Sequence, residues 1–460
     1  MTSPTFNGVR SRYTAVSVWR TATCWRLPLT SFSFKGSLGQ TNWTDCSWCP
    51  NAICWFEAGL LALDETGVAR ARASLFPVGD RLIFSDHAWP HLPHPGHVDV
   101  PYDQVMWVGR DSRHLARCTT RRPFRSALDV CTGSGIQALL ACAHTERVVA
   151  VDINARAARC ARFNAQASGI DNLNVVVGDL LEAVGGQSFD LITANPPFVP
   201  SPLDTLRFRD GGPSGEDILK RIVAGLPQHL SPGGIAQIVT ELGERDGEPL
   251  LERLREWLKR APMDIYILRL GEHTAMQYAI GHGKGETYQA FLDSIEEWAA
   301  NLRAQGYIRV IPVVISFQWN SESFDAPWDR MDTAPPPRRA AGGEIEAVFL
   351  AERLTRHFDL HRFIKDSFLR LSGPIALLDA RVLGSDVQAR TKATSLGQAL
   401  TIEHLLDRIE REILDRMDGR MAAQELFTIL GELDGREPAV TAAITSLLRR
   451  RLTRLDGEVG

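Results

Sequence analysis

The sequence predicts an α/β fold: a seven-stranded, doubly wound sheet between a small N-terminal winged module and a mostly helical C-terminal domain. Three observations predict it. Strand-like and helix-like segments alternate from about residue 127 to residue 243, a glycine-rich turn joins the first strand to the first helix, and two more strand patterns follow at 264–270 and 308–317. Alternation of this kind implies a largely parallel sheet with helices on both faces. The length of 460 residues allows two to four domains. The 44% hydrophobic content supplies a core, and the net charge of −4 argues against a surface that binds nucleic acid non-specifically throughout.

Residues 1–44 contain no Asp or Glu and are rich in Ser, Thr, Trp and Arg, so residues 1–50 read as a poorly ordered extension. A module over 51–107 follows. Ala58–Leu63 reads as the end of a helix, and Gly67–Phe76 and Arg81–Ser85 as two strands joined by the turn Pro77-Val78-Gly79-Asp80. Four histidines, His87, His91, His94 and His97, lie among three prolines. Proline forbids a helix that would gather them on one face, so a solvated loop is the reading.

The α/β domain is expected over 108–330. Its strands are Ser126–Val130, Arg147–Asp152, Asn174–Val177, Phe189–Thr193 and Gly234–Thr240, with helices at Ile136–His144, Ala155–Ser168 and Asp217–Leu230. Asp264–Leu270 and Ile308–Phe317, flanking a helix near Leu292–Ala304, would complete the sheet. Residues 331–344 contain three prolines and two glycines and read as a linker. Residues 345–460 read as helical, with helices at Ile402–Met417, Ala422–Leu430 and Pro438–Leu452. The last ends in Arg449-Arg450-Arg451, a pattern that fits a winged helix-turn-helix or a helical cap on the preceding domain.

Of eight cysteines, Cys118, Cys131, Cys142 and Cys160 lie in or beside apolar segments and read as reduced, packed thiols of a cytoplasmic protein. Cys46, Cys49 and Cys54 lack a second ligand pair at zinc-site spacing, so no metal is expected. No run of 18 apolar residues occurs, so no membrane span or membrane partner is expected.

The chemistry concentrates at strand ends. Asp129-Val-Cys-Thr-Gly-Ser-Gly135 follows the first strand. Gly133 and Gly135 let backbone approach a ligand, but the third glycine of the dinucleotide fingerprint is missing, which disfavours pyrophosphate. Asp152 ends the next strand, 17 residues on, where a carboxylate can accept both hydroxyls of a ribose; a helix cap or surface acid is the bland alternative. Asp179 follows the third strand and can accept an adenine amino group, with Ile153 and Leu180 on the two faces of the ring. Asn195-Pro196-Pro197-Phe198 sits at the carboxyl end of the fourth strand, where open α/β sheets bind ligands. The Asn195 side-chain oxygen and the Pro196 carbonyl can grip the two hydrogens of an NH2 group, and Phe198 offers a ring for stacking.

Residues 108–243 resemble the small-domain, Rossmann-like class I methyltransferases that use S-adenosylmethionine (SAM). Within these they are most similar to the release-factor glutamine methyltransferases (HemK-like) and their ribosomal-protein relatives. The resemblance rests on DVCTGSG, on VVAVDIN ending at Asp152, on GDL at Gly178–Leu180, on NPPF at Asn195, on RDGGPSGED at Arg209–Asp217, on LSPGG at Leu230–Gly234 and on ELG at Glu241–Gly243. It implies that Asp129, Cys131, Thr132, Gly133, Gly135, Asp152, Ile153, Asp179 and Leu180 hold SAM together with Asn195. It implies that Asn195, Pro196, Pro197 and Phe198 hold the methyl acceptor. The whole chain also resembles actinobacterial-type members with added terminal modules, whose pre-core segment Val108-Gly-Arg-Asp-Ser112 matches is expected beside the SAM site. Two departures stand out: Phe198 replaces a frequent Tyr, and no N-terminal helical bundle for release-factor recognition is visible in residues 1–107.

The expected reaction places a methyl group on a planar amide-like nitrogen. Alignment of nucleophile, methyl carbon and sulfur is expected to supply several kcal/mol, on the order of 7 or more at the upper limit. Hydrogen bonds to Asn195 and Pro196 would enrich the nitrogen as charge develops. The acceptor is read as a protein glutamine, with an adenine or guanine amine as the alternative and a small-molecule amine as a third. Arg110, Arg113, Arg117, Arg121, Arg122 and Arg125 fall within 16 residues, opposed only by Asp111, which favours nucleic acid unless they form a solvated helix face. A reading of another class is a SAM-binding, DNA-binding regulator without turnover.

Overall fold

The computed structural model describes residues 61–63, 69–79, 81–86, 101–203, 206–319, 326–357, 364, 367–380, 390–417, 420–431 and 437–456. The chain forms two compact units, residues 1–93 and 94–460. Readings that concern residues 1–50, the histidine loop and Cys46, Cys49 and Cys54 fall outside the described residues.

In the first unit β1 (Leu61–Leu63) pairs antiparallel with β2 (Ala69–Ala71), and β3 (Ser74–Val78) pairs with β4 (Arg81–Ser85). The second hairpin turns where expected, at Gly79 with φ +63°. Of the helix end expected over Ala58–Leu63, the described part, Leu61–Leu63, is strand, because it finds an antiparallel partner that three apolar residues alone did not announce.

The second unit opens with α1 (Arg110–Cys118), which follows Gly109. The core strands are β5 (Phe124–Val130), β6 (Thr145–Asp152), β7 (Leu173–Val177), β8 (Phe189–Ala194) and β9 (Leu230–Arg245). Helices α2 (Ile136–Ala141), α3 (Ala155–Ala167) and α4 (Asp217–His229) make the crossovers. Then come α5 (Leu250–Trp257), β10 (Met263–Arg269), the two-residue β11 (His273–Thr274), α6 (Ala275–His282), α7 (Tyr288–Ala304), β12 (Tyr307–Trp319) and β13 (Asp329–Thr333). The order across the sheet is β13-β10-β12-β9-β8-β5-β6-β7. The strands β7, β6, β5, β8 and β9 are parallel, and β12 runs antiparallel between β9 and β10. The expected seven strands are all present, and β11 and β13 extend them.

One face of the sheet packs Leu128, Val130, Ile192, Ile238 and Ile265 against the α4–α5 side, including Leu219, Ile222 and Leu254. The other packs Ala127, Leu191, Val239 and Tyr266 against Leu115, Ala138 and Ala158. That second face is also covered by α8 (Gly342–His357) through Ile345, Val348 and Phe349. Residues 331–344 are therefore not a free linker. Ala334 and Ala341 are buried, and the Ala341 N–H donates to the Arg117 carbonyl.

The C-terminal part is mixed rather than mostly helical. β14 (Phe368–Leu371) pairs with β18 (Arg420–Ala422) and β19 (Thr453–Asp456), while β15 (Ile375–Ala380), β16 (Arg390–Ser395) and β17 (Glu403–Leu406) form a meander. The helices are α9 (Arg408–Arg416), α10 (Ala423–Gly431) and α11 (Glu437–Arg449). The helix expected from Ile402 starts at Arg408, because Asp407 and Glu410 form a capping box and the preceding residues pair as strand. The last two helices lie close to the expected ranges.

Candidate active site

The register of the sheet brings the site together. Val130 of β5 pairs with Val151 of β6 and Ala194 of β8, and Asp152 pairs with Val177 of β7. The segments that follow these residues leave the same edge of the sheet on neighbouring strands, which lie about 4.8 Å apart. The loop at Cys131–Gly135 and the corner at Asn195 thus emerge side by side. Between them opens a cleft of about 520 Å³, within the usual range for small-molecule sites.

The first loop is held in an unusual backbone shape. Cys131 and Gly133 have φ +56° and Gly135 has φ +89°. A Cβ added at Gly133 would meet nothing within 4 Å, so the loop presents bare backbone to the cleft. Gly135 serves packing instead, since its Cβ would lie 3.1 Å from that of Ala161 on α3. Asp129 fixes the loop from beneath. It is 2% exposed, and its oxygens accept from the Thr132 hydroxyl (2.6 Å), the Thr193 hydroxyl (2.8 Å) and the Ala138 N–H (3.2 Å). Burial pushes its pKa up to about 6 against the pull of those bonds.

Asp152 accepts the Gly133 N–H at 2.8 Å on one oxygen and the Asn154 N–H at 2.9 Å on the other. Each oxygen is aimed, and each keeps a lone pair for a ligand hydroxyl. Burial raises this carboxyl also. Asn154 caps α3 and donates to the Asp103 carbonyl, tying the segment before the core to the site. Ile153 is 55% exposed over the cleft, an apolar platform of the kind a nucleoside base covers. Asp179 and Leu180 line the cleft too, with one Asp179 oxygen taken by Arg221 at 2.7 Å. This set of groups, bare backbone beside an aimed carboxylate with free lone pairs and an apolar platform, fits the adenosine part of SAM.

Asn195 and Pro197 line the cleft, and Pro196 is buried. The Asn195 Nδ2 donates to the Ser112 hydroxyl at 3.2 Å. Phe198 does not stand on the cleft wall. It is 8% exposed and packs with Tyr278, Ala279 and Trp298 under α6 and α7, where an apolar ring gains more from burial than at a wet mouth. The aromatic side of the cleft comes from residues the sequence did not mark: Trp107 and Phe208, edge to face at 5.9 Å, and Tyr102, beneath the Arg207 guanidinium at 4.5 Å. Trp107 stood next to the quoted Val108–Ser112 segment, and Phe208 next to Arg209, so adjacency was the available signal.

The behaviour of the Arg110–Arg125 run bears on the acceptor. Arg117 donates to the Pro337 carbonyl, Arg121 to that of Ala116, and Arg122 pairs with Glu346 at 2.7 Å. Arg125 lies 3.8 Å from Asp190. Four of the six arginines thus have intrachain partners.

A parallel sheet with an antiparallel penultimate strand, a glycine-lined cleft at its carboxyl edge and an Asn-Pro-Pro corner define a Rossmann-like class I methyltransferase. Residues 108–257 match the family model described as methyltransferase small domain. The chain is 37% identical over 146 residues to a Methanocaldococcus jannaschii chain provisionally named protein N5-glutamine methyltransferase, covering 30% of this chain and 73% of that one. It is 37% identical over 195 residues to the ribosomal protein uL3 glutamine methyltransferase of Bordetella pertussis (39% and 59%), and 40% identical over 122 residues to the release factor glutamine methyltransferase of Xylella fastidiosa (24% and 44%). The chain therefore spans about three quarters of the first relative and about half of the other two. It belongs to the small-domain methyltransferase family, and it is a SAM-dependent methyltransferase. No described helix is long and apolar enough to cross a membrane.

Proposed function

We propose that this enzyme methylates the side-chain amide nitrogen of a glutamine in a protein of the translation machinery. The observation that carries the reading is the Asn195 side chain: it lines the cleft, its Nδ2 is held by the Ser112 hydroxyl, and its Oδ1 meets no protein donor among the described residues. The names of the relatives, which act on a release factor or on ribosomal protein uL3, support a protein amide as acceptor. Intrachain contacts by four of the six arginines make the run a weaker argument for a nucleic-acid acceptor.

The bound cofactor supplies a methyl group on a positively charged sulfur. Asp152 and the Gly133 backbone fix the nucleoside, and with it the direction of the methyl group. Asn195 and the Pro196 carbonyl accept from the acceptor NH2 and hold its nitrogen in line. Held by these residues, SAM would supply an electrophilic methyl group to that nitrogen and keep the carbon–sulfur electron pair on its sulfur, and the nitrogen would release a proton to water. Hydrogen-bond acceptors aimed at an N–H that grows acidic strengthen as the reaction proceeds, so they favour the transition state over the bound acceptor.

The test is methyl transfer from tritiated SAM to a purified bacterial release factor and to purified uL3, with peptide mass spectrometry to locate the methyl group. A methylated glutamine is the expected product. Label in a cell extract that nuclease removes and protease leaves would defeat the proposal.

A further inference from the structure

We infer that Arg221 is a positioning residue for the cofactor: it holds the Asp179 carboxylate at the base end of the cleft, and through it the enzyme selects a purine that carries a 6-amino group. The inference rests on the reading of Asp179 as the acid that meets the base. The order of the sheet supports that reading. The acceptor corner follows β8, the glycine loop follows β5, Asp152 ends β6 and Asp179 follows β7, and these four strands are neighbours in that order. Residues from all four places line the one cleft. A nucleoside whose sulfonium faces Asn195 and whose ribose meets Asp152 therefore carries its base out past the end of β7.

An Asp at this place has an ordinary alternative task. Asp179 precedes a short 3-10 turn over Leu180–Val184, where an Asp commonly spends its carboxylate on the N–H groups of the turn. Here it makes no such bond. Its side-chain hydrogen-bond partner among the described residues is Arg221, whose Nη2 donates to Oδ2 at 2.7 Å. A guanidinium only donates and a carboxylate only accepts, so the sense of this bond is fixed. Oδ1 meets no protein donor among the described residues, which leaves the carboxylate acceptor capacity for a ligand N–H. Arg221 is itself well placed for the task. It lies on α4, lines the cleft, and its Nη2 also donates to Glu182 at 3.1 Å. One helical turn further along the same face is Gly225, where a Cβ would lie 2.5 Å from Leu181 Cδ1. The turn that carries Asp179 thus sits directly on the α4 backbone. It needs that support: Leu180 has φ +47°, a left-handed backbone that a non-glycine residue keeps only where its surroundings hold it. Arg221 and the Gly225 contact together fix the acid to the helix instead of leaving it on a strained loop end.

The experiment measures by calorimetry the Kd of wild type, Arg221→Met and Asp179→Ala for two ligands: S-adenosylhomocysteine, and its 6-deamino analogue, in which the purine carries hydrogen in place of the amino group. The analogue deletes the donor and adds no new one. The readout is the ratio of the two Kd values, which cancels any general weakening of the cleft and needs no methyl acceptor. Wild type is expected to prefer S-adenosylhomocysteine about 10-fold, the worth of one hydrogen bond to a charged group. The low end of that range applies because the pair is 44% and 38% exposed and solvent weakens it. Asp179→Ala should bind both ligands alike within a factor of about two. Arg221→Met should cut the preference to about threefold or less by weakening S-adenosylhomocysteine, with the analogue held within about twofold. Equal weakening of both ligands in Arg221→Met, or an unchanged preference, overturns the inference and leaves Arg221 a structural ion pair. A preference that persists in Asp179→Ala, or that wild type lacks, removes Asp179 from the base and the inference with it. Loss in Asp179→Ala alone keeps the acid at the base and rejects only the part assigned to Arg221.

Discussion

Asp129 is the deepest charge in the site, and replacing it by Asn should leave the fold intact while flattening its response to pH. One oxygen of Asp129 accepts two hydrogens, from the Thr132 hydroxyl and the Ala138 N–H, and the other accepts only the Thr193 hydroxyl. An Asn can keep its oxygen on the first side and turn its NH2 toward Thr193, whose hydroxyl reverses to accept. No N–H is forced against another. Burial raises the Asp129 carboxyl from its ordinary 3.8 to about 6. At 1.36 kcal/mol per pH unit this is about 3 kcal/mol. The sign follows from the raised value: the folded state holds the proton more tightly than the unfolded chain, so the contribution is full below the unfolded pKa and is lost as pH rises through about 6. Asn carries no such proton. In urea denaturation from about pH 4 to about pH 8, the stability of Asp129→Asn relative to wild type should rise by about 2.5 kcal/mol, the part of that total lying above the unfolded pKa. Parallel profiles for the two proteins would refute the argument, as would a variant that fails to fold at either end.

Asp152→Asn should behave in the opposite way, because both of its oxygens accept backbone N–H groups and an NH2 in either place confronts a donor; calorimetry should show S-adenosylhomocysteine binding weakened about 30-fold, equal to about 2 kcal/mol, and affinity unchanged within threefold would contradict it. Gly135→Ala should cost about 1–2 kcal/mol for a left-handed residue and more for its contact with Ala161, read as a lower melting temperature; an unchanged value would show that the α3 contact is loose. Arg253→Met should destabilise by about 3 kcal/mol, since Glu216 would stay buried with Arg245 and the Gly243 N–H, both at 3.3 Å, in place of the 2.8 Å pair, and a urea midpoint equal to wild type would count against that pair.

Much of this was legible in the sequence, for reasons that particular residues make plain. Buried parallel strands such as Val148–Val151 read as apolar runs, and Gly133 and Gly135 mark a turn with left-handed backbone. Asp152 was legible because a carboxylate at a strand end has few structural reasons to be there. Phe198 was misread because the sequence does not say which way a ring turns at a corner, and the cluster of Tyr278 and Trp298 that receives it comes from helices a hundred residues away. Leu61–Leu63 and Glu403–Leu406 were read as helix because short segments carry too few periods to separate a strand from a helix. Ser112 was legible only as part of a matched segment, since its hydrogen bond spans 83 residues of chain.

The basic end of the last helix completes the case about partners. Arg449-Arg450-Arg451 has the look of a nucleic-acid contact, placed as it is after three short helices. In the folded chain Arg449 donates to the Thr355 hydroxyl at 2.8 Å, and its carbonyl accepts from Arg330 at 2.6 Å. Arg450 reaches Glu410 at 3.0 Å and the Leu405 carbonyl at 2.8 Å. Arg451 reaches Gln398 at 3.3 Å, with Glu344 at 3.8 Å. Thr355 and Glu344 belong to α8, the helix that covers the catalytic sheet. To reach a phosphate these guanidinium groups would have to give up partly buried charge-assisted bonds, so the arginines favour a different task. They fasten the C-terminal part to the back of the methyltransferase core, and through α8, whose first turn lies against Thr119 and Thr120, they brace the strand of chain that leads from α1 into β5.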